Sequence, residues 1–79
     1  MTLWDANPRT YIRIKGFMED MPEAYRLRLH DLGFRQNAEV YCLRHAPFSG
    51  PRVFQVEDAV FALEKTVAVF VKVEPVEHE

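Results

Sequence analysis

The chain has 79 residues, enough for one domain around one core. A domain of this size buries only about 60% of the surface its unfolded chain exposes, which excludes a deep cleft between subdomains and places any function on the outer surface. With 48% hydrophobic and 28% charged residues the composition is that of a globular chain rather than a disordered one. A net charge of −2 and a pI near 5.9 argue against a nucleic-acid binder, whose affinity comes from neutralising phosphates.

The charge is uneven. Residues 1–52 carry eight Lys/Arg against six Asp/Glu, and residues 53–79 carry two against six. The single cysteine, Cys42, has no partner for an internal disulfide and fits a reducing compartment. Met1-Thr2-Leu3-Trp4-Asp5 lacks the basic start and apolar stretch of a signal peptide. The longest apolar runs, such as Val67 to Val71, are far shorter than the roughly 20 residues that span a bilayer. A soluble, cytosolic protein is expected.

No repeat, linker or low-complexity segment divides the chain. From Thr10 to Phe17, Ile12 and Ile14 alternate with Tyr11, Arg13 and Lys15, the period of a strand with one buried face. Residues 21–32 change to a helical period, with Tyr25, Leu29 and Leu32 on one stripe. Asp20 is the expected N-cap, Glu23 follows three residues later, and Pro22 fits the first turn. Gly33 suits a left-handed C-cap. Ala38 to Ala46 returns to β character and ends at the turn Pro47-Phe48-Ser49-Gly50-Pro51. Arg52 to Val56 and Ala59 to Glu64 read as two strands joined tightly at Glu57-Asp58. A short turn near Lys65-Thr66 precedes a last strand, Val69 to Val73. The polar residues after about 74 are expected to form a flexible tail. One strand, a helix and four short strands predict a mainly β fold, a small barrel of about five strands.

The residue types that carry chemistry are few. Cys42, His30, His45 and His78 are the available soft or imidazole ligands, but none forms the close pairs of a structural zinc site. Cys42 and His45, three apart in a strand, are expected on opposite faces. Cys42 lies among Val40, Tyr41 and Leu43, where apolar surroundings make a thiol inert. Ser49 has no nucleophile-elbow context, and Gly16, Gly33 and Gly50 are too dispersed to cradle phosphate. No enzyme, metal site or cofactor is expected. Tyr11, Arg13 and Lys15, aromatic and basic on one strand face, offer a platform of the kind single-strand binders use, set against the acidic pI. On the helix, Leu27 lies opposite the Tyr25-Leu29-Leu32 stripe, flanked by Arg26 and Arg28, and is a plausible anchor for a partner.

The run Glu23-Ala24-Tyr25-Arg26-Leu27-Arg28-Leu29-His30-Asp31-Leu32-Gly33-Phe34 resembles the helix of the FeoA family, a basic stretch followed by L-x-x-L-G and a hydrophobic residue. Glu39 to Pro47 looks like that family's strand ending in Ala-Pro, Phe61-Ala62-Leu63 its Leu-Ala-Leu strand, and Val69 to Val73 its closing strand. The similarity runs from about Tyr11 to Glu74. The turn after Ala-Pro differs: Phe48-Ser49-Gly50-Pro51 stands where the family commonly has Leu-Gly-Asp-Pro. Glu64 stands where a basic residue is common.

The resemblance implies an SH3-like β-barrel with one helix inserted after the first strand, spanning residues 1–79 as a single domain. It implies a non-enzymatic accessory protein of ferrous iron uptake, held at the inner membrane by docking on the cytosolic portion of FeoB, a transporter with a GTP-binding domain. The helix residues Arg26, Leu27, Leu29 and His30 are the expected contacts. An open barrel edge leaves room for weak homo-oligomers. FeoA-like domains also end metal-dependent repressors of the DtxR type; with no DNA-binding helix-turn-helix in the 79 residues, the stand-alone form is the expected one. A GTPase-activating role through Arg26, Arg28 or Arg35 is the enzymatic-regulator alternative.

Overall fold

Alternation decides most of the architecture. In the computed structural model, which describes residues 1–77, Ile12 and Ile14 are fully buried while Tyr11 and Lys15 face solvent, and this segment is β1, Thr10–Phe17. The helix α1 covers Glu23–Leu32, followed by β2, Glu39–His45, β3, Arg52–Val56, and β4, Ala59–Leu63. A one-turn helix α2, Lys65–Ala68, leads into β5, Val71–Pro75. The strands form one antiparallel sheet in the order β4-β3-β2-β1-β5. Inward residues of all five strands, among them Val40, Phe54, Leu63 and Val73, meet in a single cluster with Leu29 and Phe34. The sheet therefore wraps around its own core, as the expected small barrel requires.

Three details depart from the sequence reading. The helix starts at Glu23 with Pro22 as its cap residue, and Asp20 makes no cap. Met21 is drawn into the core and its N–H closes a turn on the Met18 carbonyl, which leaves Asp20 outside the helix. The turn at Lys65-Thr66 is instead α2, whose Val67 and Ala68 N–H groups donate to the Glu64 carbonyl and carry Ala68 into the core. The last strand accordingly begins later, at Val71, and reaches Pro75; beyond it the Val76 N–H donates to the Tyr11 carbonyl. Of the expected tail, His78 and Glu79 lie outside the described residues.

The N-terminal segment, which sequence periodicity leaves without an element, is a structural part of the barrel. Leu3–Asp5 form a 3-10 turn that buries Leu3, and Ala6 is buried behind it. The Asp5 carboxylate accepts the Thr2 N–H at 2.9 Å and the Thr2 hydroxyl at 3.2 Å. The Val73 N–H donates to the Met1 carbonyl, and Thr2 bridges to Lys72, so the segment is tied to β5. On its other side the Arg52 guanidinium carbon stands 3.7 Å from the Trp4 ring centroid, a cation–π contact reinforced by Nε donating to the Trp4 carbonyl.

Candidate docking site on the helix

The position of α1 is set at its C-terminus. Gly33 takes a left-handed φ of 105°, its N–H donates to the His30 carbonyl at 3.1 Å, and the Phe34 N–H donates to the Leu29 carbonyl at 2.9 Å. This pair of bonds is a Schellman cap, and Leu29 and Phe34 both belong to the core cluster. A side chain at Gly33 would meet Val56 Cγ1 at 2.8 Å, so glycine is required by space as well as by φ. Phe34, fully buried, then packs edge-on against Phe54 at 6.3 Å and tilted against Phe61 at 5.9 Å.

Of the four expected contact residues, three reach the surface. Leu27 is 51% exposed, His30 is exposed, and Arg26 is partly exposed in an ion pair with Glu23 at 2.8 Å. Leu29 is not available to a partner in the same way. It is 2% exposed, because it lies on the buried stripe and its backbone holds the cap. Its contribution outward is to the floor of a groove. That groove, of about 460 Å³, runs between α1 (Tyr25, Arg28, Leu32), β4 (Phe61, Leu63) and Val67 of α2. Tyr25, read from the helical period as part of the core stripe, is 42% exposed because the stripe borders this groove.

The other candidate chemistry resolves differently. Pairing of β2 with β3 shifts register between Cys42 and Arg44, a bulge at Leu43 that reverses the alternation. Cys42 and His45, expected on opposite faces, therefore converge on one atom: His45 Nε2 lies 2.6 Å from the Ala6 carbonyl oxygen and Cys42 Sγ 3.9 Å from it. Burial pushes the Cys42 thiol up in pKa. Among the described residues no three of His, Cys, Asp or Glu gather into a metal-binding group. No helix of the described residues is long and apolar enough to cross a membrane. On β1, Arg13 and Lys15 each lie 3.5 Å from the same Glu74 carboxylate oxygen.

A family model described as the FeoA domain matches residues 1–75. The chain belongs to the FeoA family. Solved structures of FeoA proteins share its fold. The iron(II) transport protein A of Clostridium thermocellum superposes with a TM-score of 0.85 at 29% identity, covering 96% of this chain and 46% of that one. The chain thus spans about half the length of that relative. FeoA of Stenotrophomonas maltophilia in complex with zinc, described as a prokaryotic SH3 domain protein and a candidate ferrous iron transport activating factor, gives 0.81 at 29% identity, covering 94% and 89%. A manganese-dependent transcriptional repressor matches with a TM-score of 0.82 at 14% identity over 96% of this chain and 41% of its own, a likeness of fold alone. A search of curated protein sequences finds no match. The FeoA fold is therefore the SH3-like barrel with an inserted helix that the sequence leads one to expect.

Proposed function

We propose that this FeoA-family chain is a cytosolic, non-enzymatic accessory protein of ferrous iron uptake that docks through α1 on the cytosolic portion of a FeoB-type transporter and supports its activity. Family membership and the iron-transport descriptions of its structural relatives support the iron-uptake part of this reading. The observation that carries the docking part is Leu27, half-exposed on a helix capped at Gly33, off its buried stripe and flanked in sequence by Arg26 and Arg28. A large apolar side chain left exposed on a polar helix face, with arginines adjacent in sequence, suits contact with a protein partner. The platform reading of Tyr11, Arg13 and Lys15 is weakened by Glu74, which engages both cations. Of the arginines suited to a GTPase-activating role, Arg26 is paired with Glu23 and Arg35 donates to the His30 carbonyl, which leaves Arg28 on the groove rim as the best placed.

The test is co-purification of the transporter with Leu27→Asp and Arg26→Glu variants. Both are expected to keep the wild-type circular dichroism spectrum and to lose association. Unchanged association in folded variants refutes docking through this face. Adding the wild-type chain to the transporter's cytosolic domain and measuring GTP turnover separates passive docking from activation.

A further inference from the structure

The two edges of the sheet are protected very differently. β5 is an edge in strand order, but its outer side is covered: the Val73 N–H donates to the Met1 carbonyl, and Thr2 bridges to Lys72. It also carries Lys72, Glu74 and Pro75, residue types that discourage strand addition. β4, the other edge, has none of these devices. Its sequence Ala59-Val60-Phe61-Ala62-Leu63 holds no charge and no proline, and its pairing with β3 runs without a bulge. Among the described residues no backbone hydrogen bond joins its outer side to another part of the chain. Such an edge is a row of unpaired N–H and C=O groups. There is also room beside it. Phe61, Ala62 and Leu63 all line the groove that α1 borders on its other side. Successive side chains of a strand point to opposite faces, so three in a row border one hollow only along the strand's edge.

We propose that the open edge of β4 receives an extended segment of a partner protein as a sixth strand, with lysine or arginine at the segment's ends. Main-chain hydrogen bonds to β4 give the affinity, and alternate apolar side chains of the segment rest on Tyr25, Leu32 and Val67 across the groove. Charge decides the occupant. Glu57 and Asp58 precede β4 and Glu64 follows it, and none of these carboxylates is in an ion pair among the described residues. Arg28 lies on the helix side of the groove rather than along the strand, and Lys65 stands 6.0 Å from the Trp4 ring centroid. The edge is therefore uncharged along its length and acidic at both ends. A second copy of this strand brings the same acids with it: antiparallel pairing with Phe61 opposite Phe61 sets Asp58 against Glu64 at each end, which is repulsive. A basic-flanked segment meets complementary charge instead. This surface goes beyond docking through Leu27, which does not line the groove.

The experiment is an NMR titration of the isotope-labelled chain with the capped peptide acetyl-Lys-Lys-Val-Thr-Val-Thr-Val-Lys-Lys-amide. Two control peptides accompany it, one with alternate backbone nitrogens methylated and one with glutamate in place of every lysine. Saturable shifts are expected in β4 and at Tyr25, Leu32 and Val67, with hydrogen exchange slowed at alternate amides of β4. Methylation, which removes donors and leaves the side chains, should weaken binding about tenfold or more. The glutamate peptide should bind least, and added salt should weaken the lysine peptide. Ala62→Lys, at an exposed position where folding is not at stake, should abolish the shifts by placing a charge on the edge. Equal binding of the methylated or glutamate peptide, or wild-type affinity in Ala62→Lys, overturns the proposal. Sedimentation should show a monomer; a dimer that Ala62→Lys dissociates would give the edge to a second copy and overturn it as well. Because no transporter is used, this result and that of the Leu27→Asp co-purification stand or fall separately.

Discussion

The sheet and the helix inserted into it bury their residues to very different degrees. Every strand contributes to the core, from Ile12 and Ile14 in β1 through Val40, Phe54 and Leu63 to Val71 and Val73 in β5. Across its ten residues α1 sinks only Leu29, with Leu32 partly covered. The helix is thus held less by its own apolar stripe than by the Gly33 cap and Phe34 at its C-terminal end. A helix anchored at one end, with most of its surface free, can offer side chains to a partner without disturbing the scaffold. The barrel gives the rigidity, and the helix commits little of its surface to folding.

The sharpest way to break that contrast is to remove the anchor. Phe34→Ala should destabilise by about 3–5 kcal/mol, since it deletes a fully buried ring between Phe54 and Phe61. Against a total of about 5–15 kcal/mol for such domains, the loss should be plain in urea denaturation. A cost below about 1 kcal/mol would mean that the helix is anchored elsewhere. Gly33→Ala is the next largest, at about 1–2 kcal/mol, from its positive φ and from the approach to Val56 Cγ1. Adding Val56→Ala tests the second cause: the Gly33→Ala penalty should shrink in that background, while a purely conformational penalty would be unchanged.

The same contrast explains how much the sequence alone reveals. Strands and helix announce themselves by period, because one face of each is buried, and β3 matches its expected bounds, Arg52–Val56. Burial arising from distant parts of the chain leaves no such trace. Nothing periodic in Met1 to Ala6 shows that Leu3 and Ala6 close the barrel. The bulge at Leu43 is a pairing irregularity, so parity counting puts Cys42 and His45 on opposite faces. Leu29 is legible as a core residue from the stripe and for that reason is a poor choice of contact; Leu27, off the stripe, is legible as exposed. The groove joins α1 to β4 and α2 across some thirty residues of sequence, and only the topology brings them together.

Leu27→Asp should separate scaffold from surface most clearly. Leu27 is half-exposed, so its loss removes little buried area; the main cost is the poorer helix propensity of aspartate. A stability change of about 0.5 kcal/mol or less is expected, set against loss of association with the transporter. A large destabilisation would show that the free face of α1 contributes to folding after all, and the contrast with the sheet would fail.

The smallest effect expected belongs to the Thr2–Asp5 turn of the N-terminal segment. The Thr2 N–H, donating to the Asp5 carboxylate, holds that carboxyl below its usual pKa range, helped by the Thr2 hydroxyl and against slight desolvation. A depressed carboxylate pKa stabilises the folded chain above the ordinary unfolded value of about 3.9, and the stabilisation is lost as pH falls through the folded one. Asp5→Asn removes this linkage. The wild type should therefore melt slightly higher than the variant near neutral pH, with the difference closing in acid. Because Asp5 is exposed, solvent screening keeps the difference small. The Thr2–Asp5 turn is tied to β5 and to Arg52 rather than to α1. Hydrogen exchange on Asp5→Asn should accordingly show faster exchange at Val73, whose N–H donates to Met1, with α1 amides unchanged. Equal loosening of α1 would mean that helix and sheet open as one unit.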